Sequence, residues 1–363
     1  MTKHYIIAGH RLSITLEEPW TFKPLSSEQT TLVEKLHRGE DVGIIPVPAD
    51  KVQDLGVNSE KMGKQSMTRE EWDGLSSEER FLYRHTLDLL QYAPFETGSD
   101  GEEFMSITVS SEEPGGLKEV EEKGLWTRVV AVDEILPFYY GYRYKDRTIY
   151  EFFPSEGFSA GLFVLNEDQR SGTYYPRQRA GSKTTLMQLN TSLMILYTFA
   201  TAPLGTVLLH ASVTRYEGKA ALFFGISGTG KSTHSRLWLQ YVPGCDVMND
   251  DNPVIRIQED GSIKVYGSPW SGKTLCYRNV EAPVRALVRL EQSPVNEISR
   301  INGLEAYASV IAAVSTIRWN SSVMDRIIPT VEKLALGVPC FNLRCRPDEE
   351  AVMVCKGAVT ATL

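Results

Sequence analysis

The feature that most constrains the fold of this 363-residue chain is a glycine-rich segment in its second half. The letters GISGTGKS, at positions 225–232, fit the pattern GxxxxGK(S/T). Glycines at these positions let successive backbone N–H groups turn towards phosphate oxygens, and the N-terminus of a following helix adds partial positive charge. An apolar run at 220–224 precedes the segment, and residues 233–241 can continue as a helix. The order strand, loop, helix predicts an α/β domain that binds nucleotide phosphates.

Two side chains of this segment have expected roles. The Lys231 ammonium can reach the β and γ phosphates, and the Ser232 hydroxyl can ligate Mg²⁺. The candidate nucleotide-binding residues are Gly225, Ser227, Gly228, Thr229, Gly230, Lys231, Ser232, Thr233 and Lys273.

Lys273 belongs to a second match to the same pattern, GSPWSGKT at positions 267–274. Here Pro269 has no N–H to offer, Trp270 is bulky, and the residues that follow do not resemble a phosphate-facing helix. The pattern therefore predicts a structured loop after the strand IKVYG, from which Lys273 can still reach the nucleotide.

A pair of aspartates, Asp250 and Asp251, ends the run CDVMNDD shortly after the phosphate loop. One carboxylate can hold Mg²⁺ and its neighbour can accept a proton from an attacking hydroxyl, as phosphoryl transfer requires. The alternative is an Asn-Asp-Asp turn, because these residues favour turns. The nearby phosphate loop favours the catalytic interpretation, with Ser232, Asp250 and Asp251 as metal ligands. Which aspartate is the base stays open.

His210 lies in the run LLHASV, which predicts a strand ahead of the phosphate-loop strand. Alone, a histidine in an apolar strand is typical of core packing. His234, on the helix after the loop, is predicted to be a surface or packing residue.

The run LHASVTRYEGKAALFFGISGTGKSTHS, followed by NDD, resembles the kinase core shared by bacterial HPr kinase/phosphorylases and ATP-dependent phosphoenolpyruvate carboxykinases. The similarity covers residues 205–273 and has a histidine, a loop ending in GK and paired aspartates in the same order. It implies an α/β domain with the P-loop fold of those kinases and a mixed sheet. It also implies ATP with Mg²⁺ or Mn²⁺ as cofactors and His210 beside the metal and phosphates. The implied catalytic residues are His210, Lys231, Asp250 and Asp251.

The layout is most similar to HPr-kinase-related proteins that carry an extra N-terminal domain, some of which act on serine in small molecules or peptides. The expected function is an ATP- and Mg²⁺-dependent kinase that transfers the γ-phosphoryl group to a hydroxyl, with a serine of a protein, peptide or metabolite as acceptor. Two alternatives remain: carboxykinase activity, and a non-catalytic nucleotide-binding regulatory module. Thr233 stands where HPr kinases often carry an acidic residue, and no segment matches the carboxykinase substrate site.

The first half carries no catalytic motif. A composition change at 176–183 predicts a boundary between a strand-rich α+β domain, 1–180, and the kinase-like domain, 181–363. Alternating runs predict a hairpin around Gly9 and aromatic-rich strands between 127 and 175, whose aromatic residues suit sheet packing. Helices are predicted at 26–39, from Ser76 and at 184–200, the second with Phe81, Leu87 and Leu90 towards the core.

Composition limits the classes of partner. There are 46 acidic against 38 basic side chains, for a net charge of −8, so nucleic acid is not expected as a partner. Five cysteines without a CxxC pair predict reduced thiols. The N-terminus lacks a signal-peptide pattern and the longest apolar stretch, 186–213, is interrupted by polar residues, so we expect no membrane association and a cytoplasmic location. Fold analogy makes a homo-oligomer possible.

Overall fold

The computed structural model describes residues 1–37, 73–113, 127–132, 138–144, 147–153, 159–177, 183–272, 276–318 and 320–361. Within these residues the chain is a mixed α/β protein with two nine-stranded mixed sheets and a separate two-stranded one. The predicted fold class is confirmed at this level, including the strand-rich first half. The predicted boundary between 180 and 181 lies outside the described residues.

The first half contains one nine-stranded sheet and the separate two-stranded sheet. Its strands are β1 (Thr2–Ile7), β2 (His10–Leu16), β3 (Thr21–Phe22), β4 (Thr86–Leu87), β5 (Glu96–Thr97), β6 (Met105–Val109), β7 (Thr127–Val132), β8 (Phe138–Tyr144), β9 (Arg147–Phe153), β10 (Gly161–Leu165) and β11 (Ser171–Pro176). Its helices are α1 (Ser27–His37), α2 (Ser77–His85) and a 3₁₀ turn (Leu90–Phe95). The sheet order is β5-β1-β2-β6-β11-β10-β9-β8-β7, while β3 pairs with β4 alone. Strand β6 is parallel to both of its neighbours.

The second half builds the other sheet. Its strands are β12 (Thr206–Leu208), β13 (Ala211–Tyr216), β14 (Lys219–Phe224), β15 (Asp246–Asp251), β16 (Val254–Ile257), β17 (Ile263–Tyr266), β18 (Glu281–Gln292), β19 (Glu297–Ile301) and β20 (Cys340–Cys345). Its helices are α3 (Lys183–Thr201), a 3₁₀ turn (Ala202–Leu204), α4 (Lys231–Tyr241), α5 (Gly303–Ala313), α6 (Ser321–Gly337) and α7 (Glu349–Thr360). The order is β12-β16-β17-β18-β14-β13-β15, and β20 joins β18 to β19. Strand β18 is parallel to β14 and β20.

Local sequence signals confirm several predicted elements. The β1–β2 hairpin turns at Ala8 and Gly9, which both have positive φ, as a two-residue hairpin turn requires. Helix α2 begins with the predicted capping box, in which the Ser76 hydroxyl accepts from Glu79 N and Ser76 N donates to the Glu79 carboxylate. The Ser26–Gln29 pair caps α1 in the same way, and the predicted end of that helix at Gly39 lies outside the described residues.

Of the three residues predicted to face the core from the segment after Ser76, Leu87 and Leu90 are buried as predicted and Phe81 is not. Phe81 is 50% exposed, and the helix ends at His85. Leu87 is buried, but it lies in β4, and Leu90 is buried in the 3₁₀ turn that follows. The chain leaves the helix because residues 86–87 pair with β3, a contact that local periodicity does not encode.

The two halves share one hydrophobic core. The apolar side of α3, with Leu189, Leu193 and Leu196, lies in a cluster that contains residues of both large sheets. The buried Tyr197 hydroxyl donates to Ile7 O at 3.0 Å, so hydrogen bonds as well as apolar contacts join the halves. None of the described helices is long and apolar enough to cross a lipid bilayer. All five cysteines are free thiols, as predicted.

Candidate functional site

The glycine-rich segment lies between β14 and α4, in the predicted order of strand, loop and helix. Gly225, Gly228 and Gly230 all have positive φ, a conformation that favours glycine. A Cβ at Gly225 would also lie 2.8 Å from Leu290 O and 3.0 Å from the Thr229 hydroxyl. Helix α4 begins directly after Gly230, so the N–H groups of its first turn point towards the loop. Ile226, at the tip, is 83% exposed.

Lys231 is the first residue of α4. Its Nζ donates to Gly225 O at 3.1 Å, so the side chain reaches back across the loop. Burial lowers the pKa of Lys231, and the charges of Asp251 and Asp250 oppose that shift. The lysine therefore lies within electrostatic reach of both aspartates. Ser232 and Thr233 follow it in the first turn and are half-buried.

Asp250 and Asp251 end β15 in extended conformation, so the turn alternative is wrong. Strand β15 is not adjacent to the phosphate-loop strand, since β13 separates β14 from β15. Ala211 of β13 pairs with both Phe224 and Asp251. Two strand spacings therefore separate the end of β14 from Asp251, about 10 Å. Because β13 is antiparallel to both neighbours, β14 and β15 end at the same edge of the sheet.

His210 directly precedes β13 rather than lying inside a strand. Its N–H donates to Ala313 O at 2.7 Å, which anchors the backbone to the end of α5. Its Nε2 lies 3.3 Å from Asp251 Oδ1. Burial first, and then the Lys231 charge, lower the pKa of His210, whereas burial raises the pKa of Asp251. Burial thus disfavours charge on both partners, and we interpret the contact as a hydrogen bond of a neutral imidazole.

The second glycine-rich segment is the predicted structured loop after β17. It runs beside the end of β15, where Gly272 N donates to Asp250 O at 2.9 Å and Asn252 N donates to Trp270 O at 3.1 Å. A Cβ at Gly267 would lie 1.9 Å from Arg278 O, so close packing accounts for that glycine. Lys273 lies outside the described residues.

Two cavities open at the phosphate loop. One, of about 580 Å³, lies between residues 225–229 and 289–292. The other, of about 640 Å³, extends from residues 228–230 past Gln292 to Arg346; we call it the Arg346 cavity. Sequence reasoning missed Gln292 and Arg346. The signal that could have found them is their position: Gln292 ends β18 and Arg346 follows β20. Parallel strands direct their carboxyl ends to one ligand-binding edge.

His234 borders the Arg346 cavity and is a packing residue, one of the two alternatives predicted for it. Its Nε2 accepts a hydrogen bond from Trp238 Nε1 at 3.1 Å, and its ring packs edge-on against Phe223. Among the described residues no group of three or more histidine, cysteine, aspartate or glutamate side chains is arranged to hold a metal.

Comparison with known families gives one match for this region. Residues 177–346, a little less than half of the chain, match the model of the SynChlorMet cassette protein ScmC. The matched segment includes the phosphate loop, His210 and both aspartates. No curated protein matches the chain. The family description names no reaction, so the chemistry has to be argued from the site.

Proposed function

We propose that the chain is an ATP- and Mg²⁺-dependent kinase that transfers the γ-phosphoryl group to a hydroxyl, with a serine of a peptide, protein or metabolite as acceptor. The second half then has the P-loop fold of HPr kinases and ATP-dependent phosphoenolpyruvate carboxykinases. One observation carries the proposal: strands β14 and β15 end at the same edge, which also carries the glycine-rich loop with its lysine and a pair of carboxylates, Asp250 buried and Asp251 half-buried.

Phosphate binding is assigned to the loop and the start of α4. The N–H groups of the first helical turn have no acceptor within the helix and suit phosphate oxygens. Within the loop, Thr229 N donates to Ile226 O at 3.2 Å and closes its turn. Lys231 Nζ would exchange its contact with Gly225 O for the transferring phosphate. That exchange supplies positive charge where the phosphoryl group carries negative charge.

The nucleoside is assigned to the Arg346 cavity. Its volume lies within the usual range for small-molecule sites. The Arg346 guanidinium is held by Asp348 and Glu350 at 2.8 Å each, which fixes a planar surface beside the cavity. Guanidinium planes stack on aromatic rings, so the base has a platform there.

The two aspartates are assigned different roles because they lie on opposite faces of β15. Asp250 pairs in register with Ser212, whose hydroxyl contacts the Ser235 hydroxyl of α4 at 2.6 Å. Cross-strand partners share one face of a sheet, so Asp250 faces α4, the helix that carries Ser232. Asp251 lies on the other face with His210.

Ser232 and Asp250 are the residues that would hold Mg²⁺. The donor set fits this metal, which prefers oxygen ligands and takes the remaining ones from phosphates and water. Burial raises the pKa of Asp251, and the charge of the adjacent Asp250 raises it further. When bound, the metal supplies positive charge at the phosphates.

Asp251 is the proposed base. Its carboxylate accepts the proton of the attacking hydroxyl, and burial raises its pKa, which improves its ability to hold that proton. The neutral His210 imidazole at 3.3 Å orients the carboxylate without cancelling its charge.

The test uses the full chain with Mg²⁺ and γ-labelled ATP, offered free serine, serine-containing peptides and a cell extract. We expect acid-stable label on a hydroxyl acceptor. Asp251→Asn should reduce transfer by about a hundredfold or more while ATP binding is retained. The matched control is Asp260→Asn, which changes an exposed carboxylate in the turn between β16 and β17 and should keep full activity.

Three results would overturn the proposal. They are ATP binding without transfer to any acceptor, phosphoenolpyruvate formation from oxaloacetate, and full transfer by the Asp251→Asn variant. The first would point to a binding module and the second to a carboxykinase.

A further inference from the structure

The second glycine-rich loop has no part in the proposed chemistry, yet it encloses the carboxylate pair. Backbone hydrogen bonds join it to Asp250 and to Asn252, the residues on both sides of Asp251. These two bonds make one antiparallel bridge between Asp251 and Ser271. The Ser268 hydroxyl adds a bond to Asn252 O at 2.6 Å. The loop therefore fixes the backbone position of Asp251.

The loop has little room to shift against the aspartates. A Cβ at Gly272 would lie 3.1 Å from Asp250 O and 3.5 Å from the Asp251 carboxyl carbon. The loop is thus packed directly against the backbone of Asp250 and the side chain of Asp251.

Trp270 connects the loop to the first half of the chain. Its Nε1 donates to the Tyr92 hydroxyl at 3.0 Å, and both side chains are buried. The Tyr92 hydroxyl in turn donates to Asn190 Oδ1 of α3 at 2.8 Å. In this series of hydrogen bonds each donor has one acceptor. A buried indole N–H that loses its acceptor raises the free energy of the folded state. The hydrogen bond therefore selects one placement of the indole and, through it, of the loop.

We propose that Tyr92 and Trp270 are positioning residues, through which the first half of the chain sets the placement of Asp250 and Asp251. The structural part of this inference stands alone, and its catalytic consequence rests on the proposed function. The second match to the phosphate-loop pattern is then a support for the carboxylates rather than a second nucleotide site.

The test compares two substitutions that each remove one buried phenol hydroxyl between the halves. Tyr92→Phe removes the acceptor of Trp270. The matched control, Tyr197→Phe, removes the donor to Ile7 O and keeps the ring that packs on Trp270. Tyr92→Phe loses the bonds to Trp270 and Asn190, and Tyr197→Phe loses the bond to Ile7 O. Of these bonds only the one to Trp270 leads to the loop.

The first readout is hydrogen exchange, measured by mass spectrometry on peptides that contain Asn252 and Gly272. It needs neither ATP nor an acceptor. In Tyr92→Phe these amides should exchange about tenfold faster than in the wild type, with β14 and β18 unchanged; in Tyr197→Phe they should keep their wild-type rates. Unchanged exchange in Tyr92→Phe, or equal acceleration in both variants, would overturn the inference whether or not the protein is a kinase.

The second readout is transfer kinetics. Tyr92→Phe should lower kcat by between about tenfold and a hundredfold with KM for ATP within twofold, because the carboxylates move while the phosphate loop does not. Tyr197→Phe should keep both constants. Equal kcat in the two variants, or a change in KM alone, contradicts a positioning role. If the wild type shows no transfer, the proposed function fails and hydrogen exchange alone decides this inference.

Discussion

At the scale of single residues, Arg346 is a side chain whose orientation is set by its neighbours. Its guanidinium donates to Asp348, Glu350 and Pro294 O. Ion pairs this exposed add little to stability, so their effect is orientation. Arg346 thus presents a planar surface beside the proposed phosphate site, which the loop and the start of α4 form.

We expect Arg346→Ala to raise KM for ATP about tenfold and to leave kcat within twofold, because it removes binding contacts remote from the transferred group. Steady-state kinetics with varied ATP measure both constants. The matched control is Arg344→Ala, two residues earlier on β20, whose guanidinium pairs with Glu297 outside the cavity. A similar rise in KM for both variants would contradict the assignment of the nucleoside to the Arg346 cavity.

At the scale of elements, the phosphate loop combines an unusual backbone with a tight contact to a neighbouring strand. Gly225 has φ +152° and packs against Leu290 O, whereas Gly218, in the β13–β14 turn, has φ +72° and open space around its Cα. Substitutions at the two glycines therefore distinguish the effect of a positive φ from the effect of a steric clash between a new Cβ and its neighbours.

We expect Gly225→Ala to abolish ATP binding, measured by calorimetric titration, because the new Cβ displaces the loop from β18. Gly218→Ala should retain wild-type affinity and lose about 1 kcal/mol of stability from the left-handed torsion alone. Wild-type affinity in the Gly225→Ala variant would show that the loop tolerates this displacement.

Local elements could be predicted from sequence, and the partners of those elements could not. The loop, the β1–β2 hairpin and the capping box at Ser76 depend on residues close in the chain, so their patterns are visible there. The exposure of Phe81 and the strand between β14 and β15 depend on pairings across many residues. The sequence likewise indicated the aspartate pair, but its two faces follow from the register with β13.

At the scale of the whole molecule, buried histidines make stability depend on pH. Burial and the Arg256 charge lower the pKa of His10 from 6.5 to about 3, and burial lowers that of His234 to about 3. Below pH 6.5 the unfolded chain binds protons that the native chain does not. The free energy of unfolding therefore falls as pH drops from about 6.5 towards about 3.

We expect each of these histidines to lower stability by about 1.5 kcal/mol between pH 6.5 and about pH 5. Urea unfolding of the wild type and of His10→Gln at both pH values measures the difference. The variant keeps His234, so it should lose about half of this pH dependence. An unchanged dependence would mean that His10 takes up its proton in the native state.

The position of Ala211, between Phe224 and Asp251, has a consequence for how such a protein could change its substrate. The gap between the phosphate loop and the proposed base is the width of one intervening strand, which backbone hydrogen bonds determine. Side-chain substitutions around the acceptor would leave that gap intact. If the proposed transfer takes place, new acceptors could therefore arise by altering surrounding surfaces, while the distance between the loop and Asp251 stays constant.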